Sequence, residues 1–143
     1  MRVEDPVAVQ YSRWPYPDAA VGLEGRLVWN DPAVYAPLYW PDRAPPAGLE
    51  VLIAGCGTAE AAALAARNPT ARVLGVDISG PAIASQRALV ERYGLRNVEL
   101  RECAVEDVAA LGRKFDFISV AGVLHHLADP AAGLRALGAV LRP

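Results

Sequence analysis

After residue 48 this 143-residue chain alternates short unbroken apolar runs with longer stretches of helical spacing. Val51, Leu52 and Ile53 form an apolar run with no polar interruption, the mark of a parallel strand covered on both faces. Ala61, Ala62, Ala63, Leu64, Ala65 and Ala66 have strong helix propensity and predict a helix to Arg67, closed by Asn68 and Pro69. Residues 72–77 (Arg-Val-Leu-Gly-Val-Asp) predict a second strand. Ala82, Leu89 and Tyr93, beside Ile83 and Val90, give the buried face of a helix from Gly80 to Tyr93. Arg87, Glu91 and Arg92 then face water, and Gly94 is a left-handed terminator. Residues 97–102 form a less apolar third strand, placed at a sheet edge, and residues 115–120 a buried fourth. Asp129 caps a last helix with Pro130 in its first turn, running through Leu134, Leu137 and Leu141. Right-handed crossovers between these strands predict an α/β fold with a parallel sheet of order 3-2-1-4 and flanking helices. Ligands bind such sheets in the carboxyl-end crevice at the switch point, here between strands one and four.

Residues 1–48 differ in kind. They hold eight of the 12 prolines and seven of the ten aromatic residues, which excludes a long helix or a central strand. The boundary therefore falls between an N-terminal arm or lid, 1–48, and a ligand-binding domain, 49–143. Residues 13–17 (Arg-Trp-Pro-Tyr-Pro) read as extended backbone with projecting rings. Asp31 and Pro32 open a short helix through Tyr39, and Pro41 to Pro46 form a linker. The arm either packs its aromatics on the domain or closes over the site, and Gln10 and Tyr11 are the residues to watch.

Charge and composition narrow the partners. The net charge is −2 and Lys114 is the only lysine, so no basic block addresses a nucleic acid. Cys56 and Cys103 are too few for a disulfide framework and read as free thiols in a reducing compartment. The N-terminal residues lack the apolar core of a signal peptide, and no apolar run is long enough to span a membrane. The expectation is a soluble, cytoplasmic protein that engages neither nucleic acid nor membrane.

The chemistry concentrates behind the first strand. Gly55 and Gly57 stand where the chain reverses tightly and bare backbone is open to a ligand. The following helix aims its free N–H groups at whatever the glycines hold. Asp77 closes the second strand 22 residues after Gly55, where a carboxylate can accept hydrogen bonds from both ribose hydroxyls. A dinucleotide fingerprint needs a third glycine at position 60, where this chain has Glu60, a carboxylate that repels pyrophosphate. A ligand without phosphate, such as S-adenosylmethionine, tolerates it.

Val51-Leu-Ile-Ala-Gly55-Cys-Gly57-Thr58 resembles the first motif of the class I S-adenosylmethionine-dependent methyltransferases. Phe115-Asp-Phe-Ile118, followed by Val123-Leu-His-His-Leu-Ala-Asp-Pro130, is similar to their fourth-strand region. The resemblance covers residues 49–143 and implies a Rossmann-like sheet with S-adenosylmethionine as cofactor. It implies cofactor contacts at Ala54, Gly55, Cys56, Gly57, Thr58, Asp77, Ile78, Ala104, Val105 and Ala121. The bend and Ala121 would hold the methionine end, Asp77 the ribose, and Ala104 and Val105 the base. Three positions depart from the pattern: Ile53 where an acid is common, Ala59 where glycine is usual, and Ala104 where an acid often meets the adenine amino group. Glu106 or Asp107 is a substitute for the last, or simply the start of a helix.

His125 and His126 are the candidates for catalysis, as a base toward an oxygen acceptor, with hydrogen bonding to the turn or packing beside the cofactor as the other role. Their spacing suits no metal, and none is expected. The partner implied is a small-molecule methyl acceptor. A methyltransferase-like module that binds cofactor without chemistry stays open, as does, more remotely, an NAD(P)-linked oxidoreductase. Members of the family continue past the fourth helix into further strands, which are absent here. The expectation is a piece of a longer protein, or an exposed fourth strand through which chains self-associate.

Overall fold

A computed structural model describes residues 6–14, 22–26, 28 and 30–143. Four strands, β1 (Glu50–Ala54), β2 (Arg72–Asp77), β3 (Val98–Glu102) and β4 (Phe117–Val120), form one parallel sheet in the order β3-β2-β1-β4. Val51 pairs with Val73 on one side and Phe117 on the other, and Leu52 with Leu74 and Ile118. Among the described residues the helices are α1 (Pro6–Arg13), α2 (Ala36–Tyr39), α3 (Glu60–Arg67), α4 (Gly80–Tyr93) and α5 (Pro130–Val140).

Side chains alternate across β1, so Val51 and Ile53 enter one core and Leu52 and Ala54 the other. Leu64, Ile83 and Trp40 cover the first face; Val108, Phe115, Leu137 and Val140 cover the second. Two covered faces explain the unbroken apolar run: each buried Val, Leu or Ile contributes roughly 1.5–3 kcal/mol. On β2, Gly75 lets α3 approach closely, since a Cβ there would lie 2.6 Å from the Ala61 Cβ. An alanine helix on a glycine strand brings the bend before α3 down onto the sheet.

The helix expected from Asp31 to Tyr39 is instead a turn followed by the four-residue α2. Pro37 has no N–H to give the carbonyl of residue 33, which breaks a continuous helix at its middle. Asp31 closes the turn: its carbonyl accepts from Val34 and Tyr35, and its Oδ1 accepts from the Ala33 N–H at 2.9 Å. Trp40 packs into the core and Tyr39 lies 5.0 Å from the Phe117 ring, while Val34, Leu38 and Trp14 are exposed. Of the stretch read as extended, residues 15–17 lie outside the described residues, as does Trp29.

Helix α4 is capped by Ser79, whose side chain accepts from the Ala82 N–H, and ends at the expected left-handed Gly94, with Arg87, Glu91 and Arg92 exposed. Helix α5 is capped by Asp129, but Leu134 is exposed and Leu141 lies past its end; Gly133, Leu137 and Val140 face the core. The 3.6-residue period carries residues 133, 137 and 140 inward and turns residue 134 outward. Beyond α5, Phe115 donates to the Val140 carbonyl and accepts from the Arg142 N–H, both at 2.8 Å, alongside the start of β4. Among the described residues no other strand pairs with that side of β4. None of the described helices is long and apolar enough to cross a membrane.

Candidate functional site

The bend between β1 and α3 is fixed from three sides. Gly55 and Gly57 have φ of +72° and +56°, a region closed to most side chains. The N–H groups of Gly55 and Cys56 both donate to the Val76 carbonyl, at 2.8 and 2.9 Å, which seats the bend against the end of β2. There Asp77 accepts from the Gly57 N–H through Oδ2 (2.9 Å) and from the Ser79 N–H through Oδ1 (2.8 Å). The carboxylate expected to meet a ribose is thus oriented by the bend itself, with lone pairs left for further donors.

The third side is Gln86, which periodicity alone flags as a polar residue on the buried face of α4, four after Ala82 and three before Leu89. It is fully buried; its Nε2 donates to the carbonyls of Cys56 and Gly57, each at 2.8 Å. No sequence motif marks it as part of the site.

Over the bend lies the loop after β4. A Cβ on Gly55 would fall 2.1 Å from Val123 Cγ2, so only glycine admits this approach. The same loop carries the histidines on a single turn, Leu124–His126. Their rings stand 3.9 Å apart, and Tyr11 Oη is 3.0 Å from His126 Nε2. Val7 and Tyr11, one helical turn apart on α1, present a common face to the cavity. Gln10 is exposed and does not reach it.

Together these elements enclose a cavity of about 810 Å³. Gly55, Cys56, Gly57, Asp77, Ile78, Ala104, Val105, Ala121, His125 and His126 all line it. Ala54 and Thr58 do not: both are buried behind the bend. Glu106 and Asp107 line it from a turn of tight helix, Val105–Leu111. Glu60, read from the sequence only as an argument against pyrophosphate, also lines the cavity. Burial pushes its carboxyl above the usual range, partly offset by a hydrogen bond from Ser119. Ser119 in turn accepts from Asn30 Nδ2 at 3.3 Å, which ties the arm to the partner of Glu60. Four carboxylates and no lysine or arginine therefore face the space, among the described residues. Burial and the charges of Asp77 and Glu60 hold the Cys56 thiol well above its ordinary range, so it is no nucleophile at neutral pH. Burial raises the Cys103 thiol as well. Among the described residues no group of three or more His, Cys, Asp or Glu side chains is placed to hold a metal ion.

Comparison with known proteins adds the following. The methyltransferase domain family matches residues 51–143. An uncharacterized protein of a Synechococcus species is 35% identical over 99% of this chain and 35% of its own length. The ubiquinone biosynthesis O-methyltransferase of a Methylobacterium species is 34% identical over 97% of this chain and 49% of its own. Among solved structures, PKMT2 from Rickettsia typhi in complex with AdoHcy is 26% identical with a TM-score of 0.69, over 80% of this chain and 23% of that one. The chain spans between about a third and a half of the length of these curated relatives.

Proposed function

We propose, because this chain belongs to the methyltransferase domain family, that its cavity takes S-adenosylmethionine and serves methyl transfer to a small-molecule acceptor. The observation that carries this reading is the charge of the cavity: Glu60, Asp77, Glu106 and Asp107 face it without a lysine or arginine among the described lining residues. Such a space repels the pyrophosphate of a dinucleotide and attracts a ligand bearing a sulfonium and an ammonium. Its volume lies within the usual range of small-ligand sites.

When bound, the cofactor supplies an electrophilic methyl group on a sulfonium leaving group. The residues present fit it. Asp77 accepts from the ribose hydroxyls, and the bare backbone of the glycine bend and Ala121 hold the amino-acid end. Ala104 and Val105 meet the base through their backbone, with Glu106 or Asp107 as the acid toward its amino group. Helix α1 acts as a lid, held by the hydrogen bond between Tyr11 Oη and His126 Nε2, and keeps water from the reacting atoms. His126, with His125 against it, takes the proton of an oxygen acceptor.

Calorimetric titration with S-adenosylhomocysteine and, separately, NADH tests the reading. Binding of the first alone supports it; binding of NADH alone replaces it with an oxidoreductase. Binding of radiolabelled S-adenosylmethionine without transfer to any acceptor selects the non-catalytic module. Self-association through the open side of β4 belongs to the same proposal, and a compact monomer at high concentration in sedimentation velocity refutes that part.

A further inference from the structure

The bend that forms the site is only partly held from within, by the Glu60 N–H donating to the Cys56 carbonyl at 3.2 Å. Ala59 precedes α3 and has no side-chain atom with which to cap it. The cap comes from another helix: Gln86 Oε1 accepts the Ala62 N–H at 3.0 Å, satisfying one of the donors a helix start leaves unpaired. The amide end of the same side chain donates to the carbonyls of Cys56 and Gly57. One fully buried residue thus spans the bend and the helix behind it with three hydrogen bonds.

The geometry of a single peptide unit then matters. In a trans peptide the carbonyl and the following N–H point in opposite directions. The Cys56 carbonyl points to Gln86, so the Gly57 N–H points away from it, and there it meets Asp77 Oδ2. Gln86 and Asp77 grip the two sides of one planar group. Rotating that group to lose either partner loses both.

We propose that Gln86 is a positioning residue for the nucleoside part of the site: it sets the Cys56–Gly57 peptide, and that peptide sets the Asp77 carboxylate that receives the ligand's sugar diol. The assignment of a diol rests on the reading given under Proposed function; the coupling between Gln86 and Asp77 does not. A merely structural glutamine stabilises the fold and acts on binding independently of Asp77.

The experiment is a double-mutant cycle on the full chain, with S-adenosylhomocysteine as the calorimetric probe. Gln86→Glu keeps an acceptor for the Ala62 N–H and removes the two amide donors. It weakens binding about tenfold when Asp77 is present and less than about twofold in the Asp77→Asn background, the non-additivity of groups that share a partner. Equal factors in both backgrounds overturn the proposal. Hydrogen exchange at the Gly57 amide, followed without ligand, accelerates in Gln86→Glu beyond the change at the core amides of β1; parallel changes overturn it. Should Gln86→Glu fail to fold, the cycle is read from the other end. The side-chain amide resonances of Gln86 shift in Asp77→Asn, and unshifted resonances overturn the proposal. If the unmodified chain binds no S-adenosylhomocysteine, the functional reading fails while the exchange and resonance measurements still decide the coupling.

Discussion

Replacing Gly55 by alanine places a methyl group where the loop after β4 already lies. The new Cβ would be 2.1 Å from Val123 Cγ2, 3.2 Å from its Cβ and 3.3 Å from its Cγ1. Carbon atoms rest at about 3.5–4.0 Å, so the loop must retreat by more than an ångström at its closest contact. Overpacking of this kind costs about 1–3 kcal/mol. A left-handed φ of +72° costs an alanine roughly 1 kcal/mol more. Gly55→Ala therefore loses about 2–4 kcal/mol, read as a fall in the urea midpoint at constant m-value. Val123→Ala removes both γ carbons and leaves one contact at 3.2 Å, which a shift of a few tenths of an ångström relieves. In that background Gly55→Ala costs only the backbone part, about 1 kcal/mol. The same pair reads on function, because Val123 leads into the turn that carries His125 and His126. Gly55→Ala weakens S-adenosylhomocysteine binding, and the double variant recovers most of it. An equal stability loss in the Val123 and Val123→Ala backgrounds refutes the reasoning, since the steric part would then be absent.

Asp77→Ala removes the charge-assisted partner of two backbone N–H groups and, on the proposed function, the acceptor for the sugar, so S-adenosylhomocysteine affinity falls roughly 10- to 100-fold. His126→Ala reduces it far less, and equal losses in a calorimetric titration would show that the ribose is misplaced. Glu60 gives a pH signature. With its folded-state carboxyl raised above 4.5, the folded chain keeps a proton that the unfolded chain has lost, so its contribution to stability falls as pH rises from about 4.5 through the raised value. Glu60→Gln flattens that slope in urea unfolding across the window. A cationic ligand favours the ionised carboxylate, so binding in the same window releases a proton; calorimetry in two buffers of unlike ionisation enthalpy measures it, and proton uptake contradicts the assignment. Asp31→Ala removes the acceptor that joins the arm to Asn68 at 3.1 Å and costs about 1–3 kcal/mol of stability. A urea midpoint unchanged within error would show that this contact is idle.

The strands were legible because a run buried on both faces must be apolar throughout, and Val51 to Ile53 satisfy that in three consecutive residues. The bend was legible because a left-handed backbone asks for glycine locally, and both glycines are where the chain turns. Caps at Ser79 and Asp129 act within three residues, so their chemistry is written beside the helices they start. The helix from Asp31 misled because the opening signal is equally local, while Pro37 downstream vetoes its continuation. Leu134 and Leu141 mislead because their spacing from Leu137 is also helical, while the register of Gly133, Leu137 and Val140 is the one that faces the core.

What the sequence determined by itself is the order of elements and the place of the crevice, since strand pattern, glycine bend and handed crossovers each follow from short-range stereochemistry. The tertiary structure decided which side chains serve that crevice. Tyr11 meets His126 across 115 residues, Asp31 meets Asn68 across 37, and Gln86 reaches the bend across 30. Glu60, which the broken fingerprint places beside the bend, shares one cavity with Asp77, Glu106 and Asp107 only because of the way the layers stack. Contacts of that separation depend on how the layers stack, and the packing of one element on another has no signature in the composition of either.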